Sequence, residues 1–243
     1  NCHAEEIAKF LQNALRDDPS ETRWIVSYEP RTEADIRFLK EANIIIEQIT
    51  GGKYTALDPE LKRNVPVVRF PFLSGSFLWP FEQLHPRNVP VAPHFPAGPF
   101  PADFGNMFIN KMLNDGMEPE AVIDRWFCTD LTKLVNLDRH FEIHKMLMKK
   151  IGADCDFSLW DEFEATFARE RYFWNAKHPT RTFFERLIYG VLSAMKLELP
   201  AEDLARALQM GRYDMYSAQH PVHPQIVKHF GLQWCNEATK YRY

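Results

Sequence analysis

Asn-Ile-Ile-Ile-Glu-Gln-Ile-Thr, at residues 43–50, is the stretch that decides the fold class of this chain. It is apolar along most of its length and is followed by a Gly-Gly pair at Gly51, which is typical of a strand buried in a parallel sheet. A helical pattern capped by Thr32 precedes it over residues 32–42. Another strand, Val-Pro-Val-Val-Arg-Phe, is predicted at residues 65–70. Strands that alternate with helices indicate an α/β fold, whose ligands gather at the carboxyl ends of the parallel strands.

The rest of the chain divides into a strand candidate, an aromatic loop and a helical half. The strand candidate is Arg-Trp-Ile-Val-Ser-Tyr at residues 23–28, and residues 71–101 are rich in proline and aromatic residues, which predicts an ordered functional loop. Helical periodicity follows at residues 104–116, 118–127, 131–151, 159–171, 180–195, 201–210 and 224–230. We therefore expect a single domain over residues 1–243, with an α/β part at 1–95 and a mainly helical part at 96–243.

Composition restricts the partners of the chain. Its 243 residues are enough for a sizeable core, and a net charge of −4 gives no electrostatic reason to expect nucleic acid or an anionic membrane surface. A mean hydropathy of −0.37 and the lack of a long apolar run exclude a spanning helix. The cysteines are scattered without a Cys-x-x-Cys pair, which argues against structural zinc and disulfides and fits a reducing, cytoplasmic compartment.

A possible nucleophile lies at the start of the chain. Cys2 directly precedes a helical pattern over residues 5–15, and the unpaired N–H groups and dipole of a helix start favour a thiolate. A lone cysteine is more often buried and inert. A strand should deliver Cys2 to such a turn, so we interpret the sequence as a fragment or processed form whose first strand precedes residue 1.

A possible base lies far downstream, in Asn175-Ala-Lys-His178-Pro179-Thr180. His178 could take a proton from a nucleophile, and the side-chain oxygen of Asn175 could orient the ring, as the third member of a triad does. Alternatively, His178 only caps and packs a helix entrance.

These segments resemble a known family. Asn175-x-x-His178-Pro179 before a helix is similar to the last block of the SGNH/GDSL hydrolase superfamily, Asp-x-x-His-Pro, and Asn1-Cys2 is similar to its nucleophile block. With Phe70-Pro71-Phe72 and Pro221-Val222-His223-Pro224, the chain resembles the WcbI family of polysaccharide-biosynthesis proteins over most of its length. The resemblance implies an SGNH-like three-layer fold with a short parallel sheet and a helix-rich C-terminal half. It also implies coenzyme A binding and acetyl transfer in capsule assembly.

The resemblance also implies site residues. Cys2 falls on the nucleophile position, His178 on the base and Asn175 on the orienting acid. Gln48 and Gly51, at the end of the 43–50 strand, are candidates for the oxyanion site, and Gln48 could equally be a polar residue of the sheet edge. His3 could approach the ligand.

Coenzyme A requires cations for its phosphates and apolar surface for adenine and pantetheine. The cationic candidates are Lys53, Arg63, Arg69 and Arg87, and the aromatic candidates are Phe72, Phe77 and Trp79. Cationic side chains, however, ordinarily lie on the solvated surface, and aromatic side chains ordinarily pack in the core. The His140/His144 and His220/His223 pairs make poor metal sites, so no metal is expected.

The leading hypothesis is therefore an acyltransferase that moves an acyl group, acetyl in the first instance, from coenzyme A to a sugar hydroxyl in surface-polysaccharide synthesis. Cys2 either attacks the thioester or only shapes the site while His178 deprotonates the hydroxyl directly. Two alternatives stay open: an SGNH-type carbohydrate esterase, and a non-catalytic protein that binds coenzyme A or a glycan.

Overall fold

A computed structural model describes residues 2–26, 30–51, 65–83, 89, 91, 105–211, 219–236 and 238–241, with only the backbone described at Cys2. Two strands, β1 (Ile45–Ile49) and β2 (Val67–Pro71), pair in parallel, with Ile45 opposite Val67 and Ile49 opposite Pro71. The helices are α1 (Cys2–Ala14), α2 (Glu33–Glu41), α3 (Met107–Asn114), α4 (Pro119–Phe127), α5 (Leu137–Ala153), α6 (Trp160–Thr166), α7 (Arg181–Met195), α8 (Ala201–Met210) and α9 (Pro224–Phe230). Short 3₁₀ turns lie at Ser76–Leu78 and Leu131–Lys133.

The strands predicted at residues 43–50 and 65–70 and the helix predicted at residues 32–42 are confirmed. Thr32 begins α2 with a capping box, because its hydroxyl accepts from the Asp35 N–H at 3.1 Å while the Asp35 carboxylate accepts from the Thr32 N–H at 2.9 Å. Each strand of the parallel pair contributes buried apolar residues, such as Ile45 and Phe70. The mixed α/β class with a short parallel sheet is confirmed, and the three-layer SGNH arrangement remains a prediction.

The predicted strand at residues 23–28 is wrong over residues 23–26, and residues 27 and 28 lie outside the described part. Arg23 instead forms an ion pair with Asp35 at 2.7 Å and lies over the Phe38 ring. The segment is thus held against α2 and has no ladder partner among the described residues, and strand propensity without a partner does not make a strand.

One core joins the helices to the sheet. The helices α5 and α7 pack against β2, and α1 packs against α8. The largest fully buried side chains include Phe10, Phe70, Phe77, Phe173, Phe184 and Leu187.

The helical half follows the prediction closely, with α8 and α9 at the expected bounds. The run predicted at residues 131–151 is divided, because the Asn136 side chain accepts from the Arg139 N–H and caps a new helix, α5. Within the described ranges, none of the helices has both the length and the apolar character needed to cross a membrane.

Candidate functional site

Four segments meet at the carboxyl ends of β1 and β2. They are the start of α1 at His3, Gln48 of β1, the segment after β2 at Phe72 and Ser74, and a hairpin over residues 172–180 that leads into α7. This is the edge at which parallel sheets bind ligands.

Hydrogen bonds fix the hairpin against the end of β2. The hairpin is closed by the Trp174 N–H, which donates to the His178 carbonyl at 2.9 Å. It is joined to the sheet because the Gly75 N–H and the Ser74 hydroxyl both donate to the Ala176 carbonyl, at 2.9 and 3.0 Å. A Cβ at residue 75 would lie 2.5 Å from Cδ2 of Phe173, so a residue other than glycine would force the Phe173 ring or the hairpin to move.

His3 is buried and held at both ring nitrogens. Its Nδ1 accepts from the Gln48 side-chain amide at 3.0 Å, so its Nε2–H donates to the Lys177 carbonyl at 3.0 Å. The ring stacks on Phe72, with centroids 5.3 Å apart. Burial, with a smaller contribution from nearby His178, lowers the pKa of His3 to about 4. His3 is therefore neutral near pH 7 and links α1, β1 and the hairpin.

Asn175 holds His178 in one orientation. The Asn175 side-chain oxygen accepts from two backbone N–H groups, those of Lys177 at 3.1 Å and His178 at 3.0 Å. Backbone N–H groups can only donate, so the orientation of this buried amide is determined. Its nitrogen lies 3.0 Å from Nδ1 of His178 and donates to it.

The direction of this hydrogen bond corrects the expectation that Asn175 holds the ring through its side-chain oxygen. It also changes the role of His178, which was expected to act as a base. Asn175 contacts the ring through its amide nitrogen, because its oxygen is already engaged by the backbone. A neutral ring whose Nδ1 accepts must carry its proton on Nε2. In this arrangement His178 is a hydrogen-bond donor at Nε2, and action as a base at Nε2 requires the other tautomer.

A cavity of about 340 Å³ adjoins these residues; we call it the Trp79 cavity. It is lined by Phe72, Ser74, Ser76, Trp79, Pro80, Glu82, Gln83, His140, Ala176 and Lys177. Phe72 and Lys177 therefore contact both His3 and the cavity. Glu82, Gln83 and Ser76 were not predicted as site residues, although the composition of residues 71–101 indicates a functional loop.

The predicted aromatic residues have different places. Phe72 and Trp79 line the Trp79 cavity, and the Trp79 indole N–H donates to the Pro221 carbonyl at 3.1 Å. The structure corrects the prediction for Phe77, which lies in the core with no exposed surface, packed on rings that include Phe141 and Phe230.

The predicted oxyanion residues have structural contacts. Gln48 donates to His3, and thus positions that ring. Gly51 has a positive φ of 69° beside Ile151, so its place in a turn after β1 accounts for the glycine. Their oxyanion role stays a prediction.

Among the predicted cations, Arg69 is described. It lies opposite Glu47 in the sheet register and pairs with that carboxylate at 3.6 Å. Because neighbouring side chains of a strand alternate, this pair lies on the face opposite that of Gln48. Arg69 is thus directed away from His3. Lys53, Arg63, Arg87 and the side chain of Cys2 lie outside the described residues. The helix predicted from residue 5 begins at Cys2 in the structure.

His144 and His223 have structural partners. His144 contacts the Ser74 carbonyl at 2.9 Å and the Ser76 hydroxyl at 3.1 Å, and its burial lowers its pKa to about 4. His223 caps α9 and contacts the Trp126 carbonyl at 2.9 Å. Over the described residues, no group of three or more His, Cys, Asp or Glu side chains could hold a metal ion.

No protein-family model matches the chain, and no curated protein matches it in sequence. Among solved structures, the chain is similar to that of WcbI, which is described as a novel polysaccharide biosynthesis enzyme. That structure is of the native protein without a disulfide bond between coenzyme A and one of its cysteines. The TM-score is 0.66 at 16% identity, and the match covers 100% of this chain and 81% of that chain. The chain therefore has a WcbI-like fold.

Proposed function

We propose that this chain transfers an acyl group, acetyl in the simplest case, from coenzyme A to a hydroxyl of a saccharide during surface-polysaccharide biosynthesis. The observation that carries the proposal is the convergence of the start of α1, Gln48 and the Asn175–His178 hairpin at one edge of the sheet. The WcbI-like fold supports it, because that protein is described as a polysaccharide biosynthesis enzyme and its description relates coenzyme A to a cysteine.

The proposed reaction has two steps, and acyl-coenzyme A is the first substrate. First, the Cys2 sulfur bonds to the acyl carbon, the bond from that carbon to the coenzyme A sulfur breaks, and the thiol proton passes to coenzyme A. Second, the acceptor oxygen bonds to the acyl carbon, the bond to Cys2 breaks, and the hydroxyl proton returns to Cys2. Both steps develop negative charge on the carbonyl oxygen.

His178 contributes to both steps as a donor. Its Nε2–H, fixed by the Asn175 amide at Nδ1, would donate to the carbonyl oxygen as charge develops there. A positioned donor of this kind is worth on the order of 10²-fold in rate. His3 is a positioning residue, since both of its nitrogens are engaged and it joins the helix that begins at Cys2 to the hairpin that carries His178.

A second candidate is a non-catalytic protein that binds coenzyme A or a glycan. One observation favours it: in the described arrangement His3 and His178 both present Nδ1 as an acceptor that is already engaged. Neither ring then offers Nδ1 as a base. Ligand affinity without turnover of any acyl donor would support this candidate over acyl transfer.

The proposal is tested by calorimetric titration with coenzyme A, followed by incubation with acetyl-coenzyme A and intact-mass measurement. We expect binding and an acetyl adduct that disappears in Cys2→Ala. Cys128→Ser is the matched control, because Cys128 is an exposed free thiol and should not carry the adduct.

The outcomes separate the mechanisms. An adduct that persists in Cys2→Ala contradicts attack by Cys2. If Cys2→Ser and Cys2→Ala both keep full transferase activity, the covalent route fails and the direct route remains. Absence of binding by either coenzyme A species contradicts acyl transfer from coenzyme A altogether.

A further inference from the structure

We infer that the Trp79 cavity is the acceptor subsite and holds one neutral sugar ring through Glu82. The inference rests on the proposed function, and it names the class of acceptor and the residues that hold it.

The cavity lies where an acceptor must lie. Ala176 and Lys177, which form part of its wall, directly precede His178 in the hairpin, and Phe72 forms another part while it stacks on His3. Its volume of about 340 Å³ is at the small end of the range of small-molecule sites, about 300 to 1,000 Å³. It therefore suits a group the size of a sugar ring better than the whole of coenzyme A.

Glu82 indicates which chemistry the cavity accepts. Its side chain is only 10% exposed, and among the described residues its Oε2 has no hydrogen-bond partner. The His220 Nδ1 lies 3.7 Å from that oxygen, which is beyond hydrogen-bonding distance. A buried carboxylate oxygen can only accept and is costly to leave without a donor. The hydroxyl groups of a ligand would supply such donors.

The other walls supply the remaining parts of a saccharide site. Nε2 of His140 is also buried without a partner within the described ranges, so the cavity lining has a second polar atom that a ligand could contact. The bond from the Trp79 indole N–H to Pro221 fixes its ring, which offers an apolar surface for the C–H groups of a sugar. Mostly apolar walls with a few convergent polar groups are typical of small-molecule sites.

The test uses methyl glycosides of glucose, galactose, mannose and N-acetylglucosamine, titrated calorimetrically into the whole chain. We expect at least one glycoside to bind, and Glu82→Gln to raise its Kd about tenfold while the Kd of coenzyme A is unchanged. Glu164→Gln is the matched control. That carboxylate is also partly buried, contacts Lys145 and Trp160, and does not line the cavity. If Glu82→Gln does not fold, Gln83→Ala makes the same test, with a weaker expected effect.

Three results would overturn the inference: no binding of any glycoside, equal affinity in the wild type and Glu82→Gln, or weakened coenzyme A binding in Glu82→Gln. Its failure is distinguishable from that of the proposed function. Glycoside binding that depends on Glu82, without any coenzyme A binding, contradicts acyl transfer and leaves the saccharide site. Coenzyme A binding without glycoside binding contradicts the saccharide site and leaves the proposed acyl transfer standing.

Discussion

Substitution of Asn175 by Asp should reverse the hydrogen bond that fixes His178. An aspartate keeps an oxygen for the Lys177 and His178 N–H groups, which lie 3.1 and 3.0 Å from the present Asn175 oxygen. Its second oxygen replaces the amide nitrogen 3.0 Å from Nδ1. Two acceptors cannot face each other at that distance, so Nδ1 must take up a proton. In the neutral ring, the proton therefore moves from Nε2 in the wild type to Nδ1 in Asn175→Asp.

The effect on stability follows from the same three contacts. Asn175→Ala removes all of them and leaves two backbone N–H groups without their acceptor, so the free energy of unfolding should fall by roughly 2–4 kcal/mol. Asn175→Asp retains both backbone contacts and forms a charge-assisted bond to the ring, so it should be less destabilised than Asn175→Ala. Denaturant unfolding of the three proteins measures both differences.

Nitrogen NMR of ¹⁵N-histidine-labelled protein, at a pH where the ring is neutral, distinguishes the two tautomers. His178→Gln identifies the His178 signals among those of the 9 histidines. Asn136→Asp is the control, because it makes the same change at the cap of α5 and should leave His178 unaltered. A wild-type His178 with its proton on Nδ1 would refute the reasoning, and so would an unchanged tautomer in Asn175→Asp.

Three further predictions concern stability and are checked by denaturant unfolding. The free energy of unfolding should decrease as the pH falls from about 6.5 to 4, by up to about 3 kcal/mol for each of His3 and His144. The unfolded state binds protons in this window, whereas burial lowers the pKa of each native ring to about 4; a flat profile would contradict this. Gly75→Ala should lower the free energy of unfolding by about 1–3 kcal/mol, since the added methyl group meets the Phe173 ring. An unchanged free energy would contradict this and show that the hairpin shifts easily. Phe77→Ala should lower the free energy of unfolding by about 3–5 kcal/mol and leave the affinity for coenzyme A unchanged. A folded Phe77→Ala protein that no longer binds coenzyme A would show that Phe77 belongs to the binding site.

Local signals allowed much of the fold to be predicted. The capping residue Thr32, the apolar run that contains β1 and the periodicity of α8 and α9 each act within a few residues of chain, and the structure follows them. Residues 23–26 differ because a short apolar run becomes a strand only if a partner strand is adjacent, and Arg23 contacts α2 instead.

The site was less predictable, because its hydrogen bonds join distant segments. Asn175 and His178 could be paired from their spacing, but the direction of their bond depends on which atom the backbone N–H groups of the hairpin engage. The link from His3 to Gln48 spans 45 residues and depends on where α1 meets β1. The buried carboxylate of Glu82 likewise results from packing, which no local pattern reveals.

Saccharide-dependent release of free coenzyme A from acetyl-coenzyme A, measured with a thiol reagent, tests the central claim most directly. Acylation of Cys2 alone releases one equivalent of coenzyme A per protein, so we predict that release beyond this equivalent requires an added glycoside. The rate of that release should fall on the order of 10²-fold in His178→Ala, because the donor to the developing oxyanion is removed. Release beyond one equivalent that is independent of the saccharide, or equal rates in the wild type and His178→Ala, would contradict the account.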